Sequence, residues 1–199
     1  MPKRVDPEAR RQQVADAVID EIVEHGLRAV TLARISARTG LAIGSIRHFF
    51  GDNIREVMRF TLGVLTQRLT RSALPRSDDP LDRIADVLMF AAPTSEQELR
   101  EHTAFIEYRV LARTDPEFAA DIAATSVTGA EAVRTLLRDA LTGRTVDEET
   151  FERETLQLFT LIEGFSFSAA QRAAPLREAD VRAIATATVD RLRAAHPLT

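Results

Sequence analysis

Apolar residues along this chain recur at intervals of three and four, the spacing of one face of a helix, and almost nowhere alternate as in a strand. Val14, Val18 and Ile22 mark such a face in the first stretch, which Gly26 closes. Helix punctuation is frequent. Asp6-Pro7, Asp79-Pro80 and Asp115-Pro116 each place a capping carboxylate before a proline at the first helical position, where a missing N–H costs nothing. Ser95-x-x-Glu98 and Thr145-x-x-Glu148 have the spacing of capping boxes. These signals predict an all-α chain of about nine helices. They are Pro7–His25, Leu32–Arg38, Ile43–Phe49, a long fourth helix from after Asp52 to about Leu74, then Leu81–Ala91, Glu96–Arg113, Pro116–Leu141, Asp147–Arg172 and Arg177–Ala195.

The second and third helices are short and surround Gly40-Leu41-Ala42. Ile35 and Ala37 supply the inward side of one, and Ile46, Phe49 and Phe50 that of the other. A helix-turn-helix needs such a φ-permissive residue at its bend, and it leaves the second helix free to enter a DNA major groove. The outward positions are Ile43, Ser45, Arg47 and His48. An arginine there can hold guanine O6 and N7 through two hydrogen bonds or simply hold a phosphate. Ile43, a β-branched residue at the exposed helix start, suits a thymine methyl. Thr31 either caps the second helix or bonds a phosphate. Arg4, Arg10 and Arg11 form a basic arm ahead of the first helix, either a solvated tail or a phosphate or minor-groove contact. The fourth helix begins under this motif through Ile54, Val57 and Met58 and continues beyond it, as a rigid joint to the rest of the chain.

Further on, Leu156–Ala170 is apolar almost all the way round, so it must be covered on more than one side. Glu163 is the only formal charge between Glu154 and Arg172. Either it pairs internally, with an arginine such as Arg109, or it reads a cationic or hydroxyl-bearing ligand. Phe90, Phe105, Tyr108, Phe159 and Phe165 lie on three helices expected to surround the body core, and about half of them are expected to touch a ligand. Tyr108, the only tyrosine, is the candidate hydrogen-bonding group.

The 199 residues carry a net charge of −4, which alone argues against nucleic acid, but its distribution along the chain points the other way. Residues 1–76 balance to +5 and residues 77–199 to −9, one end suited to phosphates and another not. With no cysteine, disulfides and thiolate zinc sites are excluded, and the four histidines form no helical metal-ligand pair, so no metal and no cofactor is expected. No apolar run is long enough to span a membrane, and MPKRVDPEARRQQ lacks the apolar core of a signal peptide; a cytoplasmic location is expected.

The residues from about Arg10 to Val57 resemble the tetracycline-repressor (TetR) family of one-component regulators. The resemblance rests on Glu24-His25-Gly26, Thr31-x-x-x-Ile35, Ala37-x-x-Gly40-Leu41, Gly44-Ser45-Ile46 and His48-Phe49-Phe50. It implies a homodimer that binds a palindromic double-stranded operator, as a repressor, with an apolar pocket for a small-molecule effector and the last two helices paired across the dimer axis. The corresponding domains are residues 8–68 for DNA binding and 69–199 for effector binding and dimerisation. Departures from the family pattern fall at Ala42, where a capping hydroxyl is common, at Asn53, where a phosphate-binding lysine is common, and at Arg47, where tyrosine is usual. A phosphate contact is thus lost at Asn53 and another gained at Arg47. A helical-bundle enzyme finds no support, since the chain shows no nucleophile–base pair, Glu-x-x-His motif or glycine-rich phosphate loop; no catalytic residue is expected. A helical scaffold without a DNA role leaves the charge split and the outward Arg47-His48 unexplained.

Overall fold

The computed structural model describes residues 6–71, 77–171 and 174–198, and those residues form nine α-helices. They are α1 (Pro7–His25), α2 (Leu32–Thr39), α3 (Ile43–Phe50), α4 (Ile54–Arg71), α5 (Asp82–Ala91), α6 (Glu96–Ala112), α7 (Pro116–Ala140), α8 (Glu148–Ala170) and α9 (Glu178–Ala195). The expected extension of the fourth helix to Leu74, and Arg4 of the basic arm, lie outside the described residues.

Local chemistry explains most of the boundaries. Asp6 Oδ1 accepts the Glu8 N–H at 3.0 Å ahead of Pro7, and Asp115 Oδ1 accepts the Glu117 N–H at 3.2 Å ahead of α7. Ser95 and Glu98 form a reciprocal capping box: Ser95 Oγ accepts the Glu98 N–H at 3.3 Å, and Glu98 Oε2 accepts the Ser95 N–H at 3.0 Å. The box expected at Thr145 does not cap α8. Asp147 does so instead, accepting the Thr150 N–H at 2.7 Å, and its own pKa is lowered by that bond.

The chain divides into two compact units, residues 1–68 with 103–120, and residues 69–102 with 121–199. The first unit is built on Val14, Val18 and Ile22 of α1, Ile35 of α2, Ile46 and Phe50 of α3, and Val57 and Leu65 of α4, all buried. It also holds Tyr108, whose hydroxyl donates to the Met58 carbonyl at 2.9 Å; burial pushes its pKa up. Arg55 of α4 pairs with Asp115 at 2.8 Å.

The second unit packs α5 against α9 and α8. Ile84 and Leu88 meet Leu137 of α7, Leu158 and Phe165 of α8, and Val181, Ala185, Val189 and Leu192 of α9. On α9, expected to pair across a dimer axis, Val181, Ala185 and Leu192 lie in the core of their own chain, and Ile184 is exposed. On α7 residues 123–132 form an uncovered stretch in which no residue is buried.

Candidate nucleic-acid interface

Gly40 makes the bend between α2 and α3 at φ 71°, ψ 5°, a left-handed conformation that costs an L-residue with a Cβ roughly 1 kcal/mol or more. Thr31 caps α2 through Oγ1, which accepts the Arg34 N–H at 3.2 Å. Ala42 occupies the same place before α3 with no side-chain capping bond. Ile46 and Phe50 turn the inner side of α3 into the core, so Ile43, Ser45, Arg47 and His48 are left exposed. Arg47 Nε lies 3.3 Å from Asp52 Oδ1, a pair open to solvent. His48 stacks edge-on against Phe49, with centroids 5.5 Å apart. Asn53 is exposed, and its Oδ1 accepts the Arg55 N–H at 3.0 Å, so its side chain serves the start of α4.

What holds α2 against α1 was not apparent from residue types alone. Glu21, 2% exposed, receives Arg34 Nε and, at 3.2 Å, Arg38 Nη2; Arg38 also reaches Glu24 at 2.6 Å, and its pKa is raised by these carboxylates. The signal is in the register: position 21 falls on the face of Val14, Val18 and Ile22, where a carboxylate must find cations. The basic-arm expectation is corrected. Arg10 and Arg11 belong to α1 itself, and Arg11 is half-buried against Phe50 and Phe60.

The expected ligand-facing residues are divided between the units. Phe105, half-buried, and Tyr108, fully buried, belong to the first; Phe90, Phe159 and Glu163, all half-buried, belong to the second. A polar pair missed in the sequence lies in the second unit. His102 Nδ1 and Ser166 Oγ are 2.8 Å apart, both buried, and burial pushes the His102 pKa down to about 4 against a smaller opposing effect of Glu98. Its signal was faint, a histidine on the inward side of α6. On α8, Leu156 and Phe167 are exposed, and Leu156, Gln157, Thr160, Leu161, Gly164 and Phe165 line an open, largely apolar groove of about 510 Å³. Among the described residues no cluster of three or more side chains suits a metal ion, and no helix is long and apolar enough to cross a membrane.

Residues 80–194 match the family described as BetI-type transcriptional repressor, C-terminal. The HTH-type transcriptional regulator PksA of Bacillus subtilis (strain 168) is 28% identical over 116 residues, 57% of this chain and 56% of its own. The HTH-type transcriptional regulator BetI of Burkholderia cenocepacia (strain HI2424) is 35% identical over 91 residues, 44% of this chain and 47% of its own. The chain thus spans about half the length of the curated relatives it matches. Among solved structures, a transcriptional regulator from Rhodococcus sp. Rha1 has a TM-score of 0.77 at 19% identity, covering 95% of this chain and 98% of that one. A transcriptional regulator from Saccharomonospora viridis in complex with choline has a TM-score of 0.72 at 12% identity, covering 92% and 96%. At these identities the likeness is one of fold.

Proposed function

We propose, from the premise that this chain belongs to the TetR family of transcriptional regulators, that it is a cytoplasmic homodimeric repressor released from a palindromic operator by a small-molecule effector. The observation that carries the reading is the outer side of α3. Ile43, Ser45, Arg47 and His48 stand exposed on a helix whose other side is anchored in the core, behind a left-handed glycine turn. Such a helix presents a fixed row of donors and an apolar contact to base edges. Thr31 is the flanking phosphate candidate, and Ala42 lets the backbone approach.

The homodimer is supported by α8. Leu156 and Phe167 are 65% and 56% exposed, about three turns apart on one side of the helix, and together with the largely apolar groove lined from Leu156 to Phe165 they mark an association surface. The effector candidates are Phe90, Phe159 and Glu163 of the second unit. A fold neighbour that holds choline supports a small organic molecule, and a carboxylate with aromatic neighbours suits a cationic one. An effector that prefers the DNA-free state is all that release requires.

A mobility-shift experiment with DNA flanking the protein's own gene tests the reading. A discrete complex that survives excess unrelated duplex, with two copies of the chain per site, is the expected result. Binding without sequence preference overturns it.

A further inference from the structure

On the second turn of α1, the Arg11 guanidinium lies 4.9 Å from the Phe60 ring centroid and 5.3 Å from that of Phe50. The two rings meet each other edge to face at 5.3 Å. Nη2 is 3.5 Å from the Phe49 carbonyl, at the outer limit of hydrogen bonding, and Nε is buried with no hydrogen-bond partner among the described residues. The ring faces therefore carry most of the hold on this cation. Phe49 and Phe50 end α3, where helical carbonyls lack donors and carry partial negative charge. Two residues along α1, Gln13 Nε2 donates to the carbonyl of Thr39, the last residue of α2, at 3.1 Å, and Gln13 Oε1 accepts from Arg10 at 2.7 Å. One stretch of α1 thus reaches the C-terminal ends of both helices of the motif.

We propose that Arg11 is a positioning residue for DNA reading. It fixes the tilt and roll of α3, and hence where Arg47 and His48 point, and it makes no contact with DNA itself. The inference rests on the DNA-binding reading above. A lysine cannot replace it, because an ammonium has no planar face to lie between two rings and a carbonyl.

The test uses the full-length chain and a duplex that the wild type has enriched from random-sequence DNA. Arg11→Met and Arg11→Lys should each weaken binding about tenfold at fixed salt, with the slope of log Kd against log salt unchanged. A slope shallower by about one per contact removed, or full affinity in Arg11→Lys, would mean a phosphate contact and overturn the proposal. Full affinity in folded Arg11→Met overturns it too. If Arg11→Met does not fold, Phe60→Leu removes one ring and no charge. It should show the same loss at the same slope, and wild-type affinity there rejects the inference. If the wild type enriches no duplex, it is the DNA-binding reading that fails. Amide exchange in the free protein then decides on Arg11. Residues 47–51 should exchange about tenfold faster in Arg11→Met, or in Phe60→Leu where Arg11→Met does not fold, and unchanged exchange overturns its hold on α3.

Discussion

At the outer side of α3, Arg47 separates reading a base from holding the backbone. Its pairing with Asp52 at 3.3 Å is exposed and worth little, so DNA can take the guanidinium at small cost. Arg47→Ala should weaken operator binding by about 1–3 kcal/mol per half-site, and only on duplexes that keep one particular base pair, if the arginine reads guanine. A uniform loss on all duplexes with a shallower salt slope marks a phosphate contact instead. Unchanged affinity in the folded variant would place the DNA-facing side of α3 elsewhere. His102 makes a second residue-scale prediction. Its folded pKa is about 4, against an ordinary 6.5, because burial disfavours the charged ring. Between these values the unfolded chain binds the extra proton, so this contribution is full above about pH 6.5 and is lost as pH falls toward 4. The limit is roughly 3 kcal/mol. Urea denaturation at pH 7 and pH 4.5 should show wild type losing more stability than His102→Gln over the same interval.

At the scale of the element, α3 starts without a cap. Ala42 has the extended backbone of an N-cap residue, φ −61° and ψ 143°, and no oxygen to offer. Ala42→Ser should stabilise the protein by about 1 kcal/mol, seen as a rise of roughly 2–4 °C in Tm. A fall in Tm would show that the hydroxyl has no N–H to reach. Helix positions were legible in the sequence because caps and stops are local chemistry: Asp6-Pro7, Thr31, Gly40 and the Ser95–Glu98 box all act where their spacing places them. Near the start of α8 two local candidates compete, and the closer Asp147 takes the place of Thr145. Other features depend on residues far apart in sequence. A helical wheel finds the inward face of α9 but not its cover, and α5, about a hundred residues earlier, supplies it. Likewise Arg11 is a surface-type residue until Phe50 and Phe60 are brought beside it.

At the scale of the whole molecule, the charge split assigns phosphates to the N-terminal part and leaves the acidic remainder to other partners. The exposed apolar side of α8 is the surface proposed for a second copy, and stable interfaces of this kind bury more than roughly 2,000 Å² in total. Leu156, 65% exposed, can lose its side chain without opening the core. Leu156→Asp should therefore keep the helical content of the wild type while light scattering at micromolar concentration shows the mass of one chain. Operator affinity should fall with it, because two half-sites no longer act together. A dimeric Leu156→Asp would move the association surface off this part of α8.

The uncovered stretch of α7 has a practical consequence. Because the chain contains no cysteine, Ser126→Cys places a single thiol in each copy, on an exposed position where a probe disturbs no packing. A nitroxide attached there makes the protein its own ruler. Two associated copies give one inter-label distance in pulsed dipolar spectroscopy, and a lone chain gives none. A shift of that distance on adding a compound then reports engagement of the body directly, so that small molecules can be screened without any operator DNA.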